Sequence, residues 1–317
     1  MEKHRSKVFR YAVALLIPLA LVLVFVPFEI FGGNTDTDIP VTETESLPET
    51  DLGFDMLEVH FLDVGQGDSI LIRTKNGLDI YNMLIDTGEQ QYAETLTEYL
   101  QSLGIRNINV LVNTHPHADH MGGMADIISK FGIGEMYMPK LPDDMIPATR
   151  VYENLLDAMF LKNIQANPLH EGVYIDMPGE AKIEVYWPRQ GMEDFDDLNN
   201  VSAILKLTYG DTSFLFTGDA EKSEEKAVLE NGADLSATVL DCGHHGSKTS
   251  TSQEFLEMVN PQAAVISCGK DNKYGHPHDE TLEALAGIGS EVYRTDLNGT
   301  VIMQSNGSQV TVKLEKG

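Results

Sequence analysis

The chain has 317 residues, 42% of them hydrophobic, and a formal charge of −27. That length allows one large domain or two ordinary ones with a substantial core, and the charge argues against tight, sequence-independent binding of nucleic acid through a broad basic face. Only Cys242 and Cys268 are present, too few for a structural zinc cluster; each follows an apolar run, so two buried free thiols are expected rather than a disulfide.

Lys3, Arg5, Lys7 and Arg10 open the chain and overlap the start of an almost wholly apolar stretch from Val8 to Phe31. The run is long for a signal-peptide core and no small-residue cleavage site follows it. Residues 1–31 are therefore expected to be a cytoplasmic leader and an uncleaved membrane helix, with a cleaved signal peptide as the alternative. Basic residues before the helix and acidic ones after it put the remainder outside the cytoplasmic membrane. Residues 32–55 are rich in Thr, Pro, Asp and Glu, bury too little to fold, and are expected to form a disordered acidic stalk. From Met56 onward 18 lysines and arginines face 40 acids, so the folded part, residues 56–317, is itself acidic.

Within that part, short apolar runs end in glycine or in polar residues with ligand chemistry. Leu57 to Leu62 leads into Asp63-Val64-Gly65-Gln66-Gly67-Asp68-Ser69, and Tyr81 to Ile85 into Asp86-Thr87-Gly88. An amphipathic helix over Tyr92 to Leu103 stops at Gly104. Val110 to Asn113 runs into a histidine cluster; helices are expected over Met124 to Phe131 and Val151 to Asn163. Strands follow over Ala181 to Trp187, Ser202 to Tyr209, Ser213 to Thr217, Thr238 to Leu240 and Ala263 to Ser267, with further strands near Glu291, Thr300 and Gln309. Strands and helices alternate, which favours a layered α/β sandwich with helices outside.

The chemistry gathers at the strand ends. Thr114-His115-Pro116-His117-Ala118-Asp119-His120 packs three imidazoles and a carboxylate into one turn, the nitrogen and oxygen donors that borderline divalent cations prefer, aimed in two directions. Two metals need more ligands, and later strand ends supply candidates: Asp219 after Phe214-Leu215-Phe216, the adjacent pair His244 and His245, and His276 with His278. His60 lies inside a strand and His170 in a loop; both are expected to be structural.

These motifs resemble the metallo-β-lactamase superfamily, and more narrowly the hydrolase domain of ComEC-type competence proteins and the related phosphorylcholine esterases. The narrower markers are Phe61 to Ser69, Ile85 to Gly88, Leu198 to Ser202, Gly243 to Ser247, Tyr274 to His278 and Tyr293 to Thr300. The resemblance implies a four-layer αββα sandwich with two divalent ions, zinc or manganese, at one edge. His115 and His117 would hold one ion, Asp119 and His120 the other, with Asp219 bridging; a single-metal site is the alternative. Many members carry a further histidine some twenty residues before the bridging Asp, where this chain has Asn199-Asn200. The compensation expected is that one of His244 and His245 completes the first metal and His276 the second, an assignment the sequence leaves open. With His245 as ligand, His244 joins Asp119, His278 and Lys248 as catalytic candidates acting beside a bridging hydroxide, and Asn200 and Ser247 are candidates for substrate hydrogen bonds. The implied substrate is a phosphodiester, single-stranded DNA or a choline phosphate polymer, met beside a separate channel protein. A non-catalytic tethered module is the reading from another class.

Overall fold

Strict alternation along the central strands sends successive apolar side chains to opposite faces. Ile70 and Ile72 join one buried cluster and Leu71 another; Val110 and Val112 divide in the same way from Leu111, and Phe214 and Phe216 from Leu215. Both faces of each sheet are thus apolar, and each must be covered twice. A computed structural model of the chain, which describes residues 41–43, 56–76, 79–192 and 195–316, shows how.

The first part contains β1 (Val41–Glu43), β2 (Leu57–Phe61), β3 (Ile70–Asn76), β4 (Asp79–Ile85), α1 (Ala93–Ser102), β5 (Asn107–Val112), α2 (Ala118–Met121), α3 (Met124–Lys130), β6 (Gly132–Met138), α4 (Arg150–Lys162) and β7 (Ala166–Pro168). Next come β8 (Tyr174–Asp176), β9 (Lys182–Trp187), β10 (Ile204–Tyr209), β11 (Thr212–Phe216), α5 (Lys222–Glu230), β12 (Val239–Asp241), α6 (Gln253–Val259) and β13 (Ala263–Ile266). The chain closes with α7 (Asp279–Gly287), β14 (Glu291–Arg294), α8 (Thr295–Asn298), β15 (Val301–Ser305) and β16 (Val310–Leu314).

One sheet has the order β1-β16-β15-β2-β3-β4-β5-β6-β7 and the other β14-β13-β12-β11-β10-β9-β8. In each, an antiparallel meander passes into a parallel half: β4 to β7 in the first, β11 to β14 in the second. Between the sheets lies a core that includes Phe61 and Phe216, whose rings are 6.3 Å apart. Outside the first sheet, Leu84 and Leu111 pack on Leu96, Ile127 and Leu155 of α1, α3 and α4. Outside the second, Leu240 and Ile266 pack on Val228, Phe255 and Leu285 of α5, α6 and α7. The result is the expected αββα sandwich.

The expected membrane helix lies outside the described residues, and so does most of the expected stalk. The described part of that stalk, β1, is a strand paired in parallel with β16, Val41 opposite Val312. Among the described residues no helix is long and apolar enough to cross a membrane. Cys242 and Cys268 are buried and unbridged. His60 is structural, its Nδ1 2.7 Å from the Tyr99 hydroxyl and its Nε2 3.2 Å from Glu58.

Candidate metal centre

Parallel strands deliver their carboxyl ends to the same edge, so the turns after β4, β5, β11, β12 and β13 converge. They carry Asp86, His115 to His120, Asp219, His244 with His245, and Ser267. Asp219 sits at the centre, buried between two donor groups. Around its Oδ2 are His115 Nε2 and His244 Nε2, each 3.7 Å away, and His117 Nδ1 lies 3.0 Å from His115 Nε2. Around its Oδ1 are His120 Nε2 at 3.1 Å and His245 Nε2 at 3.6 Å, and the latter is also 3.5 Å from Asp119 Oδ2.

The back of each ring is fixed. His120 Nδ1 is 2.9 Å from Asp86 Oδ2, and His245 Nδ1 is 3.0 Å from the Ser267 carbonyl and 3.2 Å from Asp68 Oδ1. Asp86 is itself held by the Thr114 amide at 2.9 Å and by Asn113 Nδ2 at 3.2 Å. With Nδ1 occupied behind, Nε2 is presented in front, the arrangement that orients ligand imidazoles. His120 Nε2, His245 Nε2 and Asp219 Oδ1 are buried without a hydrogen-bond partner. Converging buried lone pairs of this kind are costly unless something binds them, and nitrogen and carboxylate donors suit a zinc-like or manganese-like cation. The His/Asp cluster is suited to binding a divalent metal ion.

Electrostatics agree. Burial opposes charge on His120 and His245, yet Asp219 and Asp68 outweigh it and push both well above the ordinary histidine range. Burial works against the Asp219 carboxylate too, but His120 and His245 hold it well below its usual range. Burial and the charge on His120 push His115 down. The same carboxylates that favour positive charge on these rings would favour a divalent cation among them.

Backbone geometry shows how adjacent histidines serve both groups. His244 and His245 have φ of 52° and 56°, consecutive left-handed residues of a kind that persists only where the surroundings impose it. The kink sends His244 to the Oδ2 side, partly exposed, and His245 to the Oδ1 side, buried. The β2–β3 turn presses on the same edge: the Asp68 amide donates to the Asp119 carbonyl at 3.2 Å.

Other expected site residues fall elsewhere. His276, expected to complete the second metal, lies outside these two donor groups, its ring 5.7 Å from His244 and 6.4 Å from His245. It still lines the 260 Å³ cavity over the centre, and burial with the neighbouring His245, His244 and His278 pushes it down to about 4. His278 lies behind His276 with its Nδ1 accepting from the Lys248 amide at 3.1 Å, and neither His278 nor Lys248 lines the cavity. Asn200 is committed away from substrate: Oδ1 accepts from the Asp197 amide at 2.9 Å and Nδ2 donates to Glu224 at 3.1 Å. Asn199 faces the cavity instead, its Oδ1 unpartnered. Ser247 turns to Thr249, 3.0 Å away. Asp68, Asp86 and Gln66 are site residues to which sequence reasoning gave no role, although each sits in a turn it singled out.

A profile of the metallo-β-lactamase superfamily matches residues 62–270. The chain is 31% identical to ComE operon protein 3 of Bacillus subtilis over 77% of its own length and 32% of the relative's. It is 32% identical to competence protein ComA of Neisseria gonorrhoeae over 81% of itself and 33% of that protein. It therefore spans about a third of the length of these curated relatives. Among solved structures, the metallo-β-lactamase fold protein YhfI of Bacillus subtilis superposes with a TM-score of 0.52 at 10% identity, over 79% of this chain and 100% of that one, a likeness of fold.

Proposed function

The chain belongs to the metallo-β-lactamase superfamily as a metal-dependent hydrolase related to competence proteins, and from that premise we propose that it is a phosphodiesterase acting on single-stranded DNA. The observation that carries the reading is the division of ligands about Asp219: His115, His117 and His244 at one oxygen, His120, His245 and Asp119 at the other. Such a set would hold two divalent ions, which when bound supply Lewis acidity and a water acidified toward neutrality.

The chain's own residues do the rest. Asp219 joins the two donor groups; Asp86 and Asp68 hold the rings of His120 and His245 in register. Asp119, partly exposed and held anionic by His245 and His120 against the cost of burial, is placed to accept a hydrogen bond from the attacking water and orient it. His276 and Asn199 form the cavity wall, where they contact the phosphodiester and its leaving oxygen. The competence relatives favour DNA as substrate. The apolar segment before residue 32 anchors the chain, placing the hydrolase outside the membrane beside a separate channel protein. A second reading, hydrolysis of a small phosphodiester such as a choline phosphate on a surface polymer, is favoured by the charge of −27.

The test is metal analysis of the purified full-length chain, followed by assays of the zinc- and manganese-loaded forms on single-stranded DNA, bis(p-nitrophenyl) phosphate and a β-lactam. Cleavage of DNA that Asp219→Ala abolishes is expected. Metal-loaded chain that leaves both phosphodiesters intact overturns the proposal.

A further inference from the structure

The loop that follows β13 does more than deliver His276. Tyr274 and Gln66 line the 260 Å³ cavity over the metal centre and also a neighbouring 470 Å³ cavity, which contains Lys270 and Lys273. The Tyr274 ring stacks on His276 at 5.5 Å with 22° between planes, yet the residue is 51% exposed. The ring therefore backs onto the centre, with Lys273 Nζ 4.9 Å from its centroid and the remainder open to the two cavities.

The platform is built. The Asn272 side chain accepts from the Tyr274 and His276 amides at 3.1 and 3.0 Å and donates to the Gly269 and His276 carbonyls at 2.9 and 2.6 Å. Such a loop needs little ordering on binding. The Gly269 amide donates to Gln66 Oε1 at 3.1 Å; Gln66 lines both cavities, and its Nε2 is buried without a partner. It is a donor awaiting an acceptor.

Charge points the same way. In a domain with 40 acids and 18 basic residues, Lys270 and Lys273 line one cavity, and neither is ion-paired with a described acid. Lys273 Nζ lies 4.9 Å over the Tyr274 ring. The acids of that cavity are engaged: Asp63 with Lys316 at 3.1 Å, and Glu89 accepting from Gln91 Nε2 at 2.6 Å. Lysines beside an aromatic ring repel a quaternary ammonium, which calls for an electron-rich cage; they attract a phosphate next to a stacked base.

We infer that Tyr274 is a base-stacking platform next to the scissile phosphate, with Gln66, Lys270 and Lys273 contacting phosphates of the same strand in the adjoining cavity. The inference rests on the phosphodiesterase reading and adds to it the residues that select a base-bearing strand. Stacking one base on an aromatic side chain changes affinity by about 5- to 150-fold.

The test is anisotropy of fluorescein-labelled short oligothymidylate, and of an abasic strand with the same number of phosphates, on the full-length metal-loaded chain. Tyr274→Ala is expected to weaken oligothymidylate binding about 5- to 150-fold, to leave abasic-strand binding and metal content unchanged, and to be rescued by Tyr274→Trp. Lys270→Ala and Lys273→Ala weaken both strands and flatten the salt dependence. Equal affinity of wild type and Tyr274→Ala for oligothymidylate overturns the platform, as does failure of the wild type to bind it. A chain that binds through Tyr274 but hydrolyses no phosphodiester overturns the catalytic reading and supports the platform.

Discussion

Asp86 is one residue removed from the proposed chemistry, yet the Oδ1 side of the centre depends on it. It holds His120 Nδ1 at 2.9 Å and is gripped by Thr114 and Asn113, so Asp86→Ala frees the ring to turn. Removing an outer partner of this kind costs about 10- to 100-fold in metal affinity; competition against a chelator would show it, and unchanged affinity would refute the role. Glu58 makes a prediction of another kind. Burial works against its charge, but His60, Gln304 and Arg73 hold it down at about 2 from an ordinary 4.5. The folded value lies below the unfolded one, so its contribution to stability is complete above about pH 4.5 and is lost as pH falls toward 2. In urea unfolding of the chelated chain, Glu58→Gln should lose less stability across that window than wild type; parallel curves would contradict the assignment. At this scale the sequence was most legible where chemistry is dense: His115 to His120 and Asp219 are identifiable because imidazole and carboxylate crowd strand ends. The division of His244 from His245 was not, because it depends on two left-handed backbone conformations that residue types do not announce.

The elements most legible in sequence were those whose apolar period matches a single geometry, such as β5, β11 and α1. Others were hidden. β6 pairs with both β5 and β7, yet its Gly132, Gly134 and Glu135 break the alternation that marks a strand. α5 begins with a capping box between Glu221 and Glu224 and buries both Glu224 and Glu225, so its inner face does not look apolar. The β2–β3 turn shows how an element with no ligand can still set the site. A Cβ on Gly67 would lie 2.2 Å from the Asp119 carbonyl oxygen, and its φ is +138°. Gly67→Ala must therefore displace the histidine turn, whereas a Cβ on Gly104, at φ +73°, meets nothing within 4 Å. The expected outcome is loss of bound metal and a lower melting temperature for Gly67→Ala. Gly104→Ala should keep full metal content at a cost of about 1–2 kcal/mol from backbone strain alone. Equal metal content in the two variants would show that the turn does not position the centre.

At the scale of the molecule, a charge of −27 has to be reconciled with the polyanionic substrate proposed above. Two opposing terms act over different distances. Repulsion comes from the whole surface and extends about 30 Å at 0.01 M salt but only about 10 Å at 0.1 M. The proposed attraction is local, at the metal centre and the cavity holding Lys270 and Lys273. Moderate salt therefore screens the repulsion first, because its sources are distant, and weakens the short contacts only later. For a short oligothymidylate, kcat/KM is predicted to rise as salt increases from about 0.01 to 0.1 M and to fall beyond it. For bis(p-nitrophenyl) phosphate, with a single charge, it should change far less. A hydrolase with a broad basic groove shows the opposite, a steep decline from the lowest salt onward. If oligothymidylate cleavage declines in that way, an attractive surface of several phosphate contacts must exist beyond the described cavities. If it rises first, the metal centre and two lysines are enough to hold a strand that the rest of the protein repels.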